Sequence, residues 1–439
     1  MLLESRPSGP LTGRVRPPGD KSISHRALIL GALADGTTNI EGLLEGDDVL
    51  RTAAAMRAFG AEATQFGEGR WRVAGTGGAF SEPSAPVDFG NSGTGVRLTI
   101  GAAARFPINV IYTGDASLSS RPMGRILAPL TAMGAAALAR TGERLPAAVR
   151  GGRLQAIRHE SPKASAQIKS AVLLAGLGAE GRTEVVEPEA SRDHTERMLA
   201  AFGAYVETGA LADGRNWAAV EGGARLHGCA VRVPADPSSA AFAAAAALIL
   251  PGSEILIDQV CLNPLRAGFF ETIADMGADC AALERGELGG EPVATLRVRG
   301  SILTAARPPA GRAASMIDEY PILAALAAFA EGETRLVGAE ELRVKESDRI
   351  ALMVAGLRAC GVEAEELPDG LIVRGCGQSG VRGGALIDTH GDHRIAMSFL
   401  VLGLGAREPV RVKDADMIAT SFPGFAAFMG GLGADIRTV

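Results

Sequence analysis

Phe59-Gly60-Ala61, Met133-Gly134-Ala135, Phe202-Gly203-Ala204, Met276-Gly277-Ala278, Cys360-Gly361-Val362 and Leu432-Gly433-Ala434 are six versions of one short phrase. Its form is an apolar or small residue, then glycine, then usually alanine. The glycines stand 74, 69, 74, 84 and 72 positions apart. Each phrase closes a segment with helical apolar periodicity and precedes a strand-like run, the place of a glycine that ends a helix. A period this long is a whole supersecondary unit and not one coil of a solenoid. The spacing therefore predicts six copies of one α/β module, with the chemistry carried by what varies at equivalent positions.

Working outward from the phrase, each copy reads as helix, strand, helix, strand, strand. In the first copy, Ser24 to Ala34 is a helix ended by Gly36 and Thr38 to Leu43 is strand-like. Asp47 to Phe59 is the second helix and Arg70 to Ala74 a later strand. Ser238 to Leu250 is an alanine-rich helix ended by Pro251-Gly252, and Pro321 to Ala330 is a helix ended by Gly332. Such alternation with Gly/Pro punctuation indicates α/β layers.

Six copies divide into three and three. Two similar segments mark the joints: V-R-P-P-G-D around Pro17-Pro18-Gly19-Asp20, and V-R-V-P-A-D around Val233-Pro234-Ala235-Asp236. The expected division is one lobe over residues 20–234 and a second over 1–19 plus 235–439. A cleft between lobes is a common ligand site.

Composition excludes several classes. The 439 residues are 47% hydrophobic and 21% charged, as in ordinary folded soluble proteins. Aromatics are only 4%, so the core leans on Ala, Leu, Val and Ile. The longest apolar run, Ala240 to Leu250, is too short to span a bilayer, and the N-terminus lacks the pattern of a signal peptide. The net charge of −6 and the absence of a basic stripe with interleaved aromatics argue against nucleic acid. Small anionic substrates remain compatible, provided that cations cluster locally. The five cysteines show no CxxC pairing and read as free thiols in a reducing compartment, so a cytoplasmic location is expected. His390-x-x-His393 has no third ligand nearby, and no metal site is expected.

Charged and polar residues collect at the helix starts. The first starts carry Lys21-Ser22 with Arg26, Asn91-Ser92-Gly93-Thr94, Ser165-Ala166-Gln167, Asp236-Pro237-Ser238-Ser239, Asp318-Glu319 and Asp392-His393-Arg394. The second carry Asp47-Asp48, Arg121, Arg192, Arg266, Lys345-Glu346 with Arg349, and Thr420-Ser421. A helix N-terminus favours an acid, so Lys21, Arg121, Arg192 and Lys345 sit where a cation is mildly disfavoured. Lys345 and Arg349 also read as like charges on one helical face. Several such cases at one place in the repeat suggest an anionic ligand that offsets the cost, helped by backbone N–H groups at the helix ends. Against this stand ordinary capping roles for Ser22, Ser238 and Asp318, a plain turn at Gly93 and a solvated Arg394.

Other motifs fail. In Pro18-Gly19-Asp20-Lys21-Ser22 an Asp separates Gly from Lys, so it is no P-loop, and Gly90-Asn91-Ser92-Gly93-Thr94-Gly95 fits neither GxGxxG nor GxSxG. A nucleotide cofactor is not expected.

Taken together, PGDKSISHR (Pro18 to Arg26), GNSGT (Gly90 to Thr94), RPMG (Arg121 to Gly124), SAQIKSA (Ser165 to Ala171), DEYP (Asp318 to Pro321), RVKESDR (Arg343 to Arg349) and DHRIAMS (Asp392 to Ser398) resemble the 5-enolpyruvylshikimate-3-phosphate synthase family, in order and over essentially the whole chain. LSSRPMGR, MIDEYP and MIATSFP resemble the bacterial subgroup that includes glyphosate-tolerant enzymes. The resemblance implies an α/β (α+β) fold of two lobes, each of three βαβαββ repeats in an inside-out α/β barrel, closing around the substrates. It implies transfer of the enolpyruvyl group of phosphoenolpyruvate to shikimate 3-phosphate in aromatic amino acid biosynthesis, by a monomer, without metal or organic cofactor.

By motif, the resemblance implies that Lys21, Ser22, Arg26, Ser165, Ala166, Gln167, Arg192, Asp318 and Lys345 hold shikimate 3-phosphate. Lys21, Gly93, Arg121, Gln167, Arg349, His393 and Arg394 would line the phosphoenolpyruvate pocket. Asp318 would take the proton of the 5-hydroxyl, Glu346 would protonate the enol methylene, and Lys21 would take part in catalysis. Two departures stand out: Thr420 replaces a lysine of many members, and Gly93 stands where tolerant members carry Ala. Gly93 implies sensitivity to glyphosate. The alternatives are the sister transferase that acts on UDP-N-acetylglucosamine and a catalytically dead anion-binding protein of the same fold. The sister usually has a loop cysteine ahead of the arginine corresponding to Arg121, and no cysteine precedes Cys229 here.

Overall fold

The six glycine phrases are six helix ends of one construction. Gly60, Gly134, Gly203, Gly277, Gly361 and Gly433 all have positive φ, between 83° and 110°. At each, the glycine N–H donates three residues back and the next residue's N–H donates five residues back. Gly60 donates to Arg57 and Ala61 to Met56; Gly433 donates to Gly430 and Ala434 to Met429. This is the Schellman closure, which needs a left-handed residue that glycine supplies without a steric penalty. A strand follows each: Glu62–Gly67, Ala136–Arg140, Val206–Ala210, Asp279–Leu288, Glu363–Leu367 and Ile436–Thr438.

The computed structural model describes all residues, 1–439. The chain forms two compact units, one of residues 19–233 with 288–290 and one of residues 1–18, 234–287 and 291–439.

In the first unit, the helices Lys21–Leu33, Gly93–Ala103 and Ala166–Gly176 are buried on nearly every face, as a helix that is apolar all round must be. Gly101 is where two of them meet: a Cβ there would stand 2.3 Å from the Ala171 carbonyl oxygen. Three four-stranded sheets lie outside these helices, with strand orders 230–232/37–41/70–74/62–67, 87–88/109–113/144–150/136–140 and 158–160/182–187/216–221/206–210. Thr37–Glu41 alternates buried and exposed residues, one face to the helices and one outward. Ala230–Arg232, the last strand of the unit, pairs in parallel with Thr37–Glu41 of the first repeat.

The second unit repeats the plan around the helices Pro237–Ile249, Tyr320–Ala327 and His393–Gly405, which pack on one another. The alanine run makes this possible, since Ala240 to Ala247 are all at most 1% exposed and allow close helix approach. The N-terminal residues complete two of its sheets. Leu3–Ser5 lies antiparallel to both Val410–Val412 and Ile436–Thr438 and so supplies the strand that the sixth copy lacks. Thr12–Val15 pairs in parallel with Glu254–Cys261. The architecture is thus the α/β arrangement of three-repeat units expected from the phrase. No helix is long and apolar enough to cross a membrane.

Candidate active site

None of the three residues that sequence suggested as helix caps is one. Asp20 caps Lys21–Leu33, accepting from the Ile23 N–H at 2.9 Å, so Ser22 is not the cap. Asp236 caps Pro237–Ile249 through the Ser238 N–H at 2.8 Å, so Ser238 is not the cap either. Asp318 lies in the 3-10 turn Ile317–Glu319, and the Tyr320–Ala327 helix begins after Glu319 with no side-chain cap. The ordinary explanation for these three residues therefore fails. The second starts need correcting as well. Arg121 and Arg192 stand three and two residues ahead of helices that begin at Gly124 and His194. Arg266 closes a short 3-10 turn.

In the unit of residues 19–233, Lys21 opens its helix and its Nζ pairs with Asp48 Oδ2 from the neighbouring Asp47–Ala58 helix. Arg26, one turn on, is 3% exposed. Its guanidinium donates to Thr195 Oγ1 at 2.6 Å, to Ser170 Oγ at 2.7 Å and to the Ser22 carbonyl at 2.9 Å. Next to it, His25 is fully buried, and burial together with Lys21 and Arg26 pushes its pKa well below the usual imidazole value. His25 therefore stays neutral beside the cations.

Gly93 begins the Gly93–Ala103 helix behind Ser92, whose side chain accepts from the Gly95 N–H at 3.3 Å. A Cβ at Gly93 would lie 3.0 Å from Arg121 Nη1. Arg121 in turn donates to Asn91 Oδ1, and to Ser117 Oγ at 3.1 Å. Gln167 joins this group: its Nε2 donates to Thr94 Oγ1 at 2.9 Å and its Oε1 accepts from Arg97 at 2.6 Å. Ser165 caps the Ala166–Gly176 helix, and Arg192 stands half-buried in the loop ahead of His194–Ala201.

In the other unit, three helix starts meet around Arg349. This arginine is 1% exposed and is the first residue of the Arg349–Ala359 helix, capped by Asp348. Lys345 precedes that helix, after the 3-10 turn Glu340–Val344, so the expected like-charge pair on one helical face does not exist. Instead Asp318 Oδ1 lies between the two cations, 3.5 Å from Lys345 Nζ and 3.6 Å from Arg349 Nη1. Arg349 also binds Glu346 Oε2 at 2.6 Å and both oxygens of Asp392, at 2.8 and 3.3 Å. Burial works against the Arg349 charge, but Asp392 and Glu346 outweigh it and raise the pKa. Burial likewise opposes the Asp392 carboxylate, yet Arg349 holds its pKa below the usual range. Asp392 caps the His393–Gly405 helix through the Arg394 N–H at 2.9 Å, which sets His393 and Arg394 at the helix start. Arg394 Nη1 donates to the Asp318 carbonyl at 3.0 Å. Thr420 Oγ1 donates to its own turn, to Met417 O at 2.7 Å.

This arrangement can do two things chemically. It can hold polyanions on arginines and lysines at or just ahead of helix starts, and it can move protons at Asp318 and Glu346. Residues 5–429 match the family described as EPSP synthase (3-phosphoshikimate 1-carboxyvinyltransferase). The chain belongs to this family. Among relatives, the 3-phosphoshikimate 1-carboxyvinyltransferase of Phenylobacterium zucineum (strain HLK1) is 59% identical over 434 residues, 99% of this chain and 95% of that protein. The protein of the same name from Caulobacter vibrioides (strain NA1000 / CB15N) is 57% identical, over 99% and 98% of the two chains. Among solved structures, EPSP synthase from Acinetobacter baumannii at 2.37 Å has a TM-score of 0.88 and 41% identity, over 99% of each chain.

Within the family frame, four partners escaped the sequence reading: Asp48, Lys169, Glu187 and Asp392. Asp48 and Asp392 stand in segments already singled out, as half of Asp47-Asp48 and as the first residue of DHRIAMS, and only their ion pairs reveal their use. Lys169 lies inside SAQIKSA, where a lone lysine among apolar neighbours was the available signal. Glu187 ends an ordinary strand and left no signal.

Proposed function

We propose that these two clusters divide the work of one reaction. The chain is an enolpyruvyl transferase: it moves the enolpyruvyl group of phosphoenolpyruvate to the 5-hydroxyl of shikimate 3-phosphate and releases phosphate, a step in aromatic amino acid biosynthesis. On this reading Ser165, Ala166, Gln167 and Arg192, with Lys21, Ser22 and Arg26, hold shikimate 3-phosphate. Arg26 contributes largely by holding its helix against Ser170 and Thr195. Arg121, Arg349, Arg394 and His393 receive phosphoenolpyruvate, with Gly93 keeping space open beside Arg121.

The observation that carries the reading is Asp318 held between Lys345 and Arg349. A carboxylate so placed takes the proton of the 5-hydroxyl as its oxygen bonds to C2 of phosphoenolpyruvate. Glu346, beside Arg349, gives a proton to the methylene carbon, which becomes a methyl group. Loss of a proton from that methyl group then expels phosphate and restores the double bond. The cations offset the repulsion between two multiply charged anions, and fixed geometry supplies much of the rate. With Thr420 turned into its own backbone, the departing phosphate leans on His393 and Arg394.

We further propose that the chain works as a cytoplasmic monomer on these small molecules, independent of nucleic acid and membranes, and that glyphosate inhibits it. Its five cysteines, none of them in a disulfide, suit a reducing compartment. Sedimentation at micromolar concentration checks the monomer.

The deciding experiment is phosphate release from phosphoenolpyruvate with shikimate 3-phosphate, without it, and with UDP-N-acetylglucosamine instead. Release that requires shikimate 3-phosphate and is lost in Asp318→Ala supports both the reaction and the base. Release only with the nucleotide sugar, or with neither acceptor, overturns it.

A further inference from the structure

Glu187 is the last residue of the strand Arg182–Glu187 and is 2% exposed. Its carboxylate collects donors from two separate segments, the start of the Ala166–Gly176 helix and the loop at Ser191. The Ser165 N–H donates at 2.7 Å. Ser191 Oγ donates at 2.7 and 2.9 Å to the two oxygens. Lys169 Nζ lies 3.1 Å away. Lys169 is 5% exposed and also binds Glu196 at 2.8 Å and the Ser191 carbonyl at 3.0 Å. Burial pulls the Lys169 pKa down, but Glu196 and Glu187 outweigh it and keep the ammonium charged.

The N-cap geometry explains why an oxygen acceptor from another element is needed there. In a capping box, a Glu or Gln at the third helical position reaches back to the N–H of the capping residue. Here Ser165 is the cap and the third helical position is Ile168, which cannot do this. Glu187, from a different element, takes the Ser165 N–H instead. Through its other bonds it fixes Ser191, the residue before Arg192.

We propose that Glu187 is the positioning residue for the shikimate 3-phosphate subsite, setting Ser165 and the Arg192 loop at their working separation through Ser165 N–H and Ser191 Oγ. This rests on the reading above that Ser165 and Arg192 hold that substrate. Glu187 itself is buried among protein donors and acts through its neighbours. A subsite held out of place loses binding to substrate and transition state alike, which appears in KM and not in kcat.

The test is calorimetric titration of the full-length protein with shikimate 3-phosphate, together with steady-state kinetics. Glu187→Leu should weaken binding roughly 10- to 100-fold, with the loss in KM for shikimate 3-phosphate and kcat within about twofold. Glu187→Gln keeps an oxygen for the Ser165 N–H while its amide group faces Lys169, so it should lose clearly less affinity than Glu187→Leu. A mere stability role would lower the melting temperature without this split or this rescue. Parent-like affinity in a folded Glu187→Leu protein overturns the proposal, as does equal weakening in the Gln and Leu variants. Should Glu187→Leu fail to fold, Ser191→Ala removes one arm alone. It should weaken binding several-fold at nearly unchanged melting temperature, and an unchanged affinity overturns the proposal. Failure of the parent protein to bind shikimate 3-phosphate would instead sink the assignment of the subsite.

Discussion

Arg26 and Arg121 in one unit and Arg349 in the other are all buried, yet they are held in different ways. Oxygens of Thr195, Ser170 and Ser22 orient Arg26, and those of Asn91 and Ser117 orient Arg121. Arg349 is held by the carboxylates of Asp392, Glu346 and Asp318. Hydroxyl, amide and carbonyl oxygens fix a guanidinium without bringing negative charge. Carboxylates fix it and subtract charge, and their own ionisation then depends on it. The first arrangement suits the reception of an anion. The second suits a place where a carboxylate must be aimed and kept ready to exchange a proton.

The largest effect that tests this contrast is at Asp318. Asp318→Asn keeps the shape but removes the base, and phosphate release should fall by about a thousandfold. A fall of only a few-fold would deny the carboxylate cluster its proton-transfer role. The two arginines then separate by stability. Arg349→Met leaves Asp392 buried without its cation, and urea unfolding should show a loss of about 3–5 kcal/mol. Arg121→Met leaves the half-buried neutral acceptors Asn91 and Ser117, and the loss should be about 1 kcal/mol while activity still falls. Similar losses in the two variants would erase the distinction.

Acid should expose the same difference. The folded-state pKa of Asp392 lies below its ordinary value. The stability it contributes is therefore complete above the unfolded value of about 3.9 and is lost as pH falls from there through the lower folded value. Asp392→Asn should flatten the acid side of the stability curve in that window. The smallest effect is at Gly93. A Cβ 3.0 Å from Arg121 Nη1 requires the guanidinium to shift by a few tenths of an ångström. Gly93→Ala should raise the KM for phosphoenolpyruvate slightly and the inhibition constant for glyphosate by roughly tenfold or more, since glyphosate is the bulkier ligand. Equal inhibition constants for the two forms would remove Gly93 from the specificity of the pocket.

What was legible without coordinates was whatever local chemistry dictates. A glycine closing a helix in the left-handed conformation has few substitutes, so its six recurrences announced six helix ends and the repeat with them. The cations were legible because a positive charge at a helix start conflicts with the helix dipole, but that reason holds only for Lys21, since Arg121, Arg192 and Lys345 stand in the segments ahead of their helices. Caps were less legible, because Asp20 and Ser22, or Asp236 and Ser238, are equally able to cap, and only the backbone angles choose between them.

The sequence by itself determined the repeat, the set of charged residues and the family to which they belong. It could not place Leu3–Ser5 between two strands more than 400 residues away, nor pair Lys21 with Asp48. It could not deliver the Ser165 N–H to Glu187 or set Asp318 between Lys345 and Arg349. These contacts join segments distant in sequence, and a buried charge has no local preference that reveals its partner. Only packing of the three helices in each unit brings such groups within hydrogen-bonding distance, because burial makes leaving them unpaired too costly.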